Sequence, residues 1–270
     1  MNLLTNNVFS NITKEHLSES KFHYQDIVIL LTATIDVQNI PFLQRSDLKI
    51  RLSDYKQSLK LWMNNKHTPK IIFCENSGFD LSPLSELCKQ NNPHHKKIEF
   101  LSLDDNHFPR ELGKGYGEMR IIKHVFEKSH LIGPDTLIIK VTGRLYIAEI
   151  GTIINNIQNR PKADIYCNFK GDLSHAECYI FCSSVLFLKD YLFPRKELIN
   201  DTKGVFFEHV LARAVHASLS DGYKYSILPG FLDIRGINGT RGDIYTRSFI
   251  SRIKGFIFYR LKLFVLFREG

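Results

Sequence analysis

Two basic residues, Lys140 and Arg144, flank the dipeptide Thr142-Gly143 in the stretch DTLIIKVTGRLYI, residues 135–147. The apolar and β-branched residues before them predict a buried strand, where an isolated positive charge is costly. At the end of such a strand the two cations could instead neutralise a diphosphate and the negative charge that it gains as a leaving group. The alternative is that one or both side chains point to the surface or into a salt bridge.

Carboxylates at four places have positions that suit proton transfer or hydrogen bonding, among them the Asp104-Asp105 pair after the third predicted strand. Asp36 and Glu75 follow the first and second predicted strands, and Glu208 lies in the helical stretch FFEHVL. An acidic residue flanked by apolar ones tends to have a raised pKa, which suits a general base near a sugar hydroxyl. Glu208 meets that condition, although a glutamate in the first turn of a helix also favours the helix dipole. His209 is its neighbour, but it points about 100° further round the helix and need not share the site.

Two glycine-bearing stretches predict phosphate contacts. GKGYGEM, residues 113–119, is predicted as a loop that enters a helix, where backbone N–H groups could meet a phosphate. Its residues Lys114, Tyr116 and Glu118 favour a ligand site there. Its spacing is that of neither the Rossmann nor the P-loop motif. PGFLDIRGINGTRGDIY, residues 229–245, holds four glycines with Arg235 and Arg241, a combination that can wrap a phosphate or a sugar. Either stretch could also be a turn-rich connection that binds nothing.

Alternating strands and helices would position these residues. Strands are predicted at 26–36, 70–78 and 97–103 and at the start of 135–147, with helical spacing of apolar residues between them. This alternation predicts an α/β fold with a mostly parallel central sheet covered by helices on both faces, an architecture that commonly binds nucleotides. No proline- or serine-rich linker interrupts the chain. We therefore predict one domain over residues 1–245, with a nucleotide-binding half at about 26–150 and an acceptor half at about 151–245.

The C-terminal residues 246–270 combine an apolar face with arginines and lysines, the composition of a helix that lies on an anionic membrane. The alternative is a terminal helix packed on the domain. The chain of 270 residues has a formal net charge of +8, which favours anionic partners. Its five cysteines lack paired CxxC spacing, so the sequence predicts a reduced, cytoplasmic protein with neither a disulfide framework nor a zinc site.

The order of the motifs resembles a group of bacterial glycosyltransferases from gene clusters for lipopolysaccharide O-antigen and capsule. The resemblance is carried by IVILLTATIDV, GKGYGEMRII, IIKVTGRLYI, FFEHVLARAV and GINGTRGDIY, and it covers about residues 26–245. It implies a GT-A-like fold that transfers a sugar from a nucleotide-sugar donor, in the first place a UDP-sugar, to a lipid-linked glycan. It also implies a peripheral location on the cytoplasmic face of the inner membrane.

The sequence departs from the pattern of this family at one point. Most GT-A enzymes end the fourth strand with an Asp-x-Asp motif that holds a divalent metal on the donor diphosphate. Here KVTGR, residues 140–144, stands in that place, so cationic side chains are the natural substitutes. No metal ligand is assigned, and dependence on Mn²⁺ or Mg²⁺ stays an open alternative.

The resemblance also implies roles for single residues. Thr32 and Asp36 would lie beside the base and ribose, and Glu75 would border the same pocket. Glu208 would be the general base if the reaction inverts the anomeric centre, and otherwise it would position the acceptor, with His209 on the acceptor side. The predicted donor- and diphosphate-binding residues are Thr32, Asp36, Glu75, Lys114, Lys140, Arg144, Arg235 and Arg241.

Two other classes of protein are compatible with the composition. A nucleic-acid-binding or processing protein would suit the charge, but the cations are not interleaved with aromatic residues along one face and no recognition motif is evident. We therefore expect no nucleic-acid partner. A non-catalytic, membrane-associated scaffold of a polysaccharide assembly complex would keep the C-terminal segment and lack the pocket. Variants of Arg144 or Glu208 would then leave sugar transfer unchanged.

Overall fold

The computed structural model describes residues 24, 26–37, 46–105, 107–160, 162–230, 232–237 and 257, and the structural statements below concern these residues. One sheet contains the strands β1 (Asp26–Ala33), β2 (Lys70–Glu75), β3 (Lys97–Ser102), β4 (Thr136–Thr142), β6 (Ile165–Tyr166), β9 (Ile180–Ser184) and β10 (Tyr225–Ser226). Two smaller pairings contain β5 (Leu145–Ile147) with β11 (Ile234–Gly236), and β7 (Phe169–Lys170) with β8 (His175–Ala176).

The seven-stranded sheet has the order β10-β6-β9-β4-β1-β2-β3. β1 pairs in parallel with both β2 and β4, and all of its residues after Asp26 are buried, as its apolar sequence predicts. β9 runs antiparallel to β4 and β6. The predicted α/β class with a mostly parallel central sheet is therefore confirmed, and β9 makes the sheet a mixed one.

Helices cover both faces of this sheet, as predicted. They are α1 (Leu48–Asn64), α2 (Ser82–Gln90), α3 (Gly113–Lys128), α4 (Ile150–Gln158), α5 (Val185–Phe187, continued by wider and tighter turns to Leu198) and α6 (Phe207–Ser220). The first core contains α1, α2 and α4, and the second contains α3, α5 and α6. Strand residues alternate between the two cores, so that Leu30 and Ile138 face α3 and α6 whereas Leu31 and Ile139 face α1 and α4.

Strands from both predicted halves of the chain join the same sheet. β1 to β4 come from residues 26–150, and β6, β9 and β10 come from residues 151–245. The C-terminal segment 246–270 lies outside the described residues except for Ile257, which is helical and exposed. In the described part of the chain, no helix combines the length and apolarity needed to cross a membrane.

The prediction of a glycine-rich loop at 113–119 is wrong, because these residues already belong to α3. Gly115 lies against the start of α6, where an added Cβ would come within 2.8 Å of the Cβ of Phe207. An added Cβ at Gly117 would come within 2.9 Å of the ring of Phe108. The glycines therefore let α3 approach its neighbours closely, a packing role that short-range sequence patterns do not reveal.

Candidate functional site

The crevice between the carboxyl ends of β1 and β4 is the centre of the candidate site. The chain leaves β1 towards β2 and β3 on one side and returns to β4 on the other. Ligands of open α/β sheets bind at such a topological switch point. Thr32 and Thr142 are paired here, and the Gly143 N–H donates to the Thr32 carbonyl oxygen at 2.8 Å. A Cβ on residue 143 would lie 2.7 Å from that oxygen, so the turn after β4 requires glycine.

Four side chains and one backbone carbonyl meet beside this turn. Lys140 Nζ lies 2.6 Å from Glu118 Oε1, and the lysine side chain is 0% exposed whereas that of Glu118 is 19% exposed. The Thr32 hydroxyl donates to the same Glu118 oxygen at 2.7 Å, and Thr142 Oγ1 lies 3.5 Å from both Glu118 Oε1 and Lys140 Nζ. Lys140 also donates to the Cys178 carbonyl oxygen at 2.6 Å. We call these five residues the Glu118–Lys140 cluster.

The cluster keeps Glu118 ionised. Burial raises the pKa of Glu118, but the Lys140 ammonium, the Thr32 hydroxyl and Arg144 together hold this pKa below its ordinary value. A carboxylate with a lowered pKa is a hydrogen-bond acceptor rather than a general base at neutral pH. All the hydrogen bonds of Glu118 within the described residues go to Oε1, which leaves Oε2 without a donor there.

The two cations that flank Thr142-Gly143 have different surroundings. The Lys140 ammonium is enclosed, so a direct contact with a diphosphate would require its ion pair to open. Arg144 is half-buried, and its Nε donates to the Ile237 carbonyl oxygen at 3.0 Å. No acceptor for its remaining N–H groups occurs within the described ranges. Of the two, Arg144 therefore has the donors that could meet an anion.

Glu208 joins the cluster through Cys178. The Cys178 thiol donates to Glu208 Oε1 at 3.0 Å, while the carbonyl of the same residue accepts from Lys140. Burial, together with Glu118 and Glu208, raises the pKa of the Cys178 thiol well above its ordinary value, so the thiol stays protonated and can donate. Cys178 thus connects a carboxylate on α6 to the lysine on β4.

His209 does not share this arrangement. Its Nδ1 accepts from the Phe206 backbone N–H at 3.1 Å, which caps the first turn of α6. Its ring stacks on Phe206 with centroids 5.5 Å apart and meets the ring of His175 edge-on at 5.4 Å. The predicted acceptor-side role of His209 stays a prediction, and its contacts are those of a helix cap.

The N-terminus of α3 holds a carboxylate. Asp201 accepts a hydrogen bond from the backbone of Lys114. Gly113, with φ +75°, leaves the space for it, since a Cβ there would lie 1.8 Å from Asp201 Oδ2. Burial raises the pKa of Asp201 and Glu208 adds to this effect, whereas Lys114 opposes it. A phosphate could reach this helix end only by displacing Asp201, and the Lys114 side chain is exposed.

Glu75 shapes the loop after β1. Its buried carboxylate accepts from the backbone N–H groups of Ile35 and Ser77 at 2.9 Å through Oε1 and from that of Phe79 at 3.1 Å through Oε2. Burial raises the pKa of Glu75, and these hydrogen bonds oppose that rise. The Asp36 backbone N–H donates to Ser77 Oγ at 3.0 Å, and the Asp36 side chain is half-buried. Both predicted residues thus lie at the carboxyl edge, with the Glu75 carboxylate turned inward.

The predicted phosphate-binding stretch 229–245 is described only in part, and Arg241 lies outside the described residues. β11 pairs with β5, which brings Gly236 against Arg144: with φ +131°, a Cβ on Gly236 would lie 2.4 Å from the Arg144 carbonyl oxygen. Arg235 is 53% exposed, and its Nη2 lies 3.6 Å from Asp233 Oδ2. The segment therefore supports Arg144, while Arg235 faces outward.

Of the residues predicted from the sequence, the structure brings together Thr32, Lys140 and, through Cys178, Glu208, with Arg144 close enough to act on Glu118. Thr142 and Cys178 were not assigned a role, and Glu118 was predicted only as one of the polar residues that favour a ligand site in the stretch 113–119. The sequence could have identified Glu118, because it lies on the same face of α3 as the buried residues Gly115, Met119 and Ile122. A carboxylate on that buried face would supply the counter-charge that a lysine within a strand requires. Within the described ranges, no group of three or more His, Cys, Asp or Glu residues is placed to hold a metal ion.

No protein-family model and no curated protein matches this sequence. Among solved structures, the chain is similar to the glycosyltransferase GlyE of Streptococcus pneumoniae, with 9% identity and a TM-score of 0.48 over 76% of this chain and 45% of that one. It is also similar to the mannosyltransferase PcManGT of Pyrobaculum calidifontis, with 9% identity and a TM-score of 0.45 over 82% of this chain and 61% of that one. A third similar structure is a cytidylyltransferase of Leptospira borgpetersenii, with 11% identity and a TM-score of 0.45 over 91% of this chain and 98% of that one. This chain spans less than half the length of GlyE, and similarity at this level concerns the path of the chain and not its activity.

Proposed function

We propose that this chain is a nucleotide-sugar-dependent transferase, and specifically a glycosyltransferase that moves a sugar from a UDP-sugar to a lipid-linked glycan of bacterial O-antigen or capsule. One observation carries the transferase proposal: the Glu118–Lys140 cluster, Arg144 and Glu208 meet at the switch-point crevice of a mostly parallel sheet. The nature of the donor and acceptor is supported by the sequence resemblance alone.

Arg144 binds the donor diphosphate in this proposal. Its planar guanidinium keeps N–H groups for phosphate oxygens after Nε has bonded to Ile237. When the bond between the anomeric carbon and the diphosphate oxygen breaks, the leaving group gains negative charge, which Arg144 stabilises. Lys140 holds the Glu118 carboxylate through their ion pair and does not contact the diphosphate.

Glu208 accepts the proton of the attacking acceptor hydroxyl if the reaction inverts the anomeric centre. Its Oε1 is held by the Cys178 thiol, and its Oε2 has no donor within the described part of the chain. The fixed oxygen orients the carboxylate, and the other oxygen is left for the acceptor. In a retaining reaction Glu208 would position the acceptor hydroxyl without removing its proton before attack.

A thermal-shift screen of the full chain against nucleoside diphosphates and nucleotide sugars tests this proposal, because a bound ligand raises the melting temperature by mass action. Donors that bind are then incubated with lipid-linked glycans, with and without excess EDTA. Release of the nucleoside diphosphate together with glycosylated lipid supports the proposal. In parallel incubations with nucleoside triphosphates and sugar 1-phosphates, formation of a nucleotide sugar with release of pyrophosphate would instead identify a nucleotidyltransferase. A folded protein whose melting temperature shifts with no nucleotide would overturn the proposal.

A further inference from the structure

We propose that Glu118 binds a sugar hydroxyl of the nucleotide-sugar donor through Oε2, and that Lys140 is the positioning residue for this carboxylate. The inference rests on the proposed function and names the ligand group that the site recognises. The hydroxyl belongs either to the ribose or to the transferred sugar, since both present the same hydrogen-bond donor.

The position of Glu118 is fixed from several elements. Oε1 receives the hydroxyl of Thr32 on β1 and the ammonium of Lys140 on β4, while α3 supplies the carboxylate itself. Lys140 is in turn tied to the Cys178 carbonyl in the segment that leads into β9. A carboxylate held in this way presents its second oxygen in a defined direction, which is a requirement for selective binding.

The charges around Glu118 select the type of group that it can accept. A phosphate oxygen would be repelled by the carboxylate, and a cation would meet Lys140 and Arg144, which already lower the pKa of Glu118. A neutral donor avoids both penalties. A hydroxyl group that donates to a carboxylate forms a short, charge-assisted hydrogen bond, stronger than one between two neutral groups.

Lys140 determines whether Glu118 can do this. The lysine side chain is fully enclosed and carries no described contact that reaches beyond the cluster and the ring of Phe181. Without it, only the Thr32 hydroxyl and Arg144 would oppose the rise in the pKa of Glu118 that burial causes, so the carboxyl would keep its proton to a higher pH and lose acceptor strength. The lysine thus acts through Glu118 and not on the ligand.

The test is a cycle of protein and ligand changes measured by calorimetric titration. Wild type, Glu118→Gln and the control Glu127→Gln are titrated with the tightest-binding diphosphate among UDP, GDP, CDP and ADP, with its 2′- and 3′-deoxy forms, and with the matching nucleotide sugar and its deoxy-sugar analogues. Glu127 lies on the same helix, and its side chain is 49% exposed. We expect Glu118→Gln to weaken binding about 10- to 100-fold and Glu127→Gln to leave it unchanged.

Removal of the contacted hydroxyl should weaken binding to wild type by a similar factor and have little further effect in Glu118→Gln. Weaker binding of the 2′- or 3′-deoxy nucleotides would show that the contacted hydroxyl belongs to the ribose. Weaker binding of the deoxy-sugar analogues would show that it belongs to the transferred sugar. If wild type binds nucleotide and Glu118→Gln binds every ligand equally well, the inference is overturned while the proposed function stands. If wild type binds no nucleotide, both fail.

Lys140→Met supplies a readout that a purely structural role would not change. Its binding should recover as the pH is raised and the Glu118 carboxyl ionises, whereas wild type should show no such recovery. Binding that is lost equally at every pH in a folded variant would contradict the role given to Lys140. If the variant does not fold, the cycle with Glu118→Gln decides the inference.

Discussion

Lys140 and Arg144 are only four residues apart, but Lys140 is enclosed in an ion pair whereas Arg144 keeps N–H groups that could bind an anion. Strand alternation placed the side chain of Lys140 inside the core, where only a counter-charge makes an ammonium tolerable, and Glu118 supplies it. Arg144 follows the turn and therefore lies outside that core. The sequence predicted that a charge at the end of this strand needed a partner, but it could not identify a partner on a different helix.

Replacing Arg144 by lysine tests its role as the diphosphate-binding cation. Lysine keeps the charge but loses the planar fork and the Nε donor to Ile237. We expect kcat/KM for sugar transfer to fall about 10- to 100-fold, and to do so equally in excess EDTA. The matched control is Arg213→Lys on the exposed surface of α6, which should retain full activity. An unchanged rate in Arg144→Lys would remove this residue from the proposed site.

Ser183 offers a stability prediction at the same scale. Its hydroxyl is completely buried on β9 and has no hydrogen-bond partner in the described part of the chain. Ser183→Ala should therefore raise the free energy of unfolding by about 1 kcal/mol, measured by urea denaturation. Ser218→Ala should have the opposite sign, because the equally buried Ser218 hydroxyl donates to the Val215 carbonyl at 2.8 Å. A loss of stability in Ser183→Ala would mean that its hydroxyl has a partner.

At the scale of elements, regular patterns predicted the elements themselves, but the sequence did not predict how the short strands pair. The apolar runs of β1 and β2 and the helical spacing of α1 indicated those elements correctly, since each buries a whole strand or one helix face. β10 and β11 have only two and three residues, and their pairing depends on distant segments. Gly115 of α3 was misinterpreted for the same reason, since its packing partner Phe207 is remote in the sequence.

The turn between β4 and β5 contains a glycine, Gly143, that should not tolerate a side chain. In Gly143→Ala the new methyl group would lie 2.7 Å from the Thr32 carbonyl oxygen and push β1 away from the turn. We expect a loss of about 1–3 kcal/mol in stability, together with weaker nucleotide binding. Gly133→Ala is the control, because its Cβ would meet only Thr136 Oγ1 at 3.8 Å. Equal stability of the two variants would show that the turn can relax.

At the scale of the whole molecule, the antiparallel strand β9 joins the two ends of the candidate site. The segment before it carries Cys178 past the end of β4, so that Lys140 from the first half of the chain and Glu208 from the second are linked through Cys178, and Glu118 is joined to them through Lys140. The predicted parallel sheet accounted for the first half of this arrangement. The reversal at β9 was not predicted, because an apolar strand gives no indication of its direction.

The charge of the whole chain leads to the last prediction. Residues 246–270 hold six basic side chains and one acidic one, so they supply five of the eight net positive charges. Deleting them should abolish co-sedimentation with anionic vesicles at low salt, while wild type should bind these vesicles and release them as salt is added. A full-length variant with the six basic residues changed to glutamine separates charge from apolar contact, and it should bind weakly at any salt concentration. If the truncated protein still co-sediments with the vesicles, the membrane-binding surface lies outside residues 246–270.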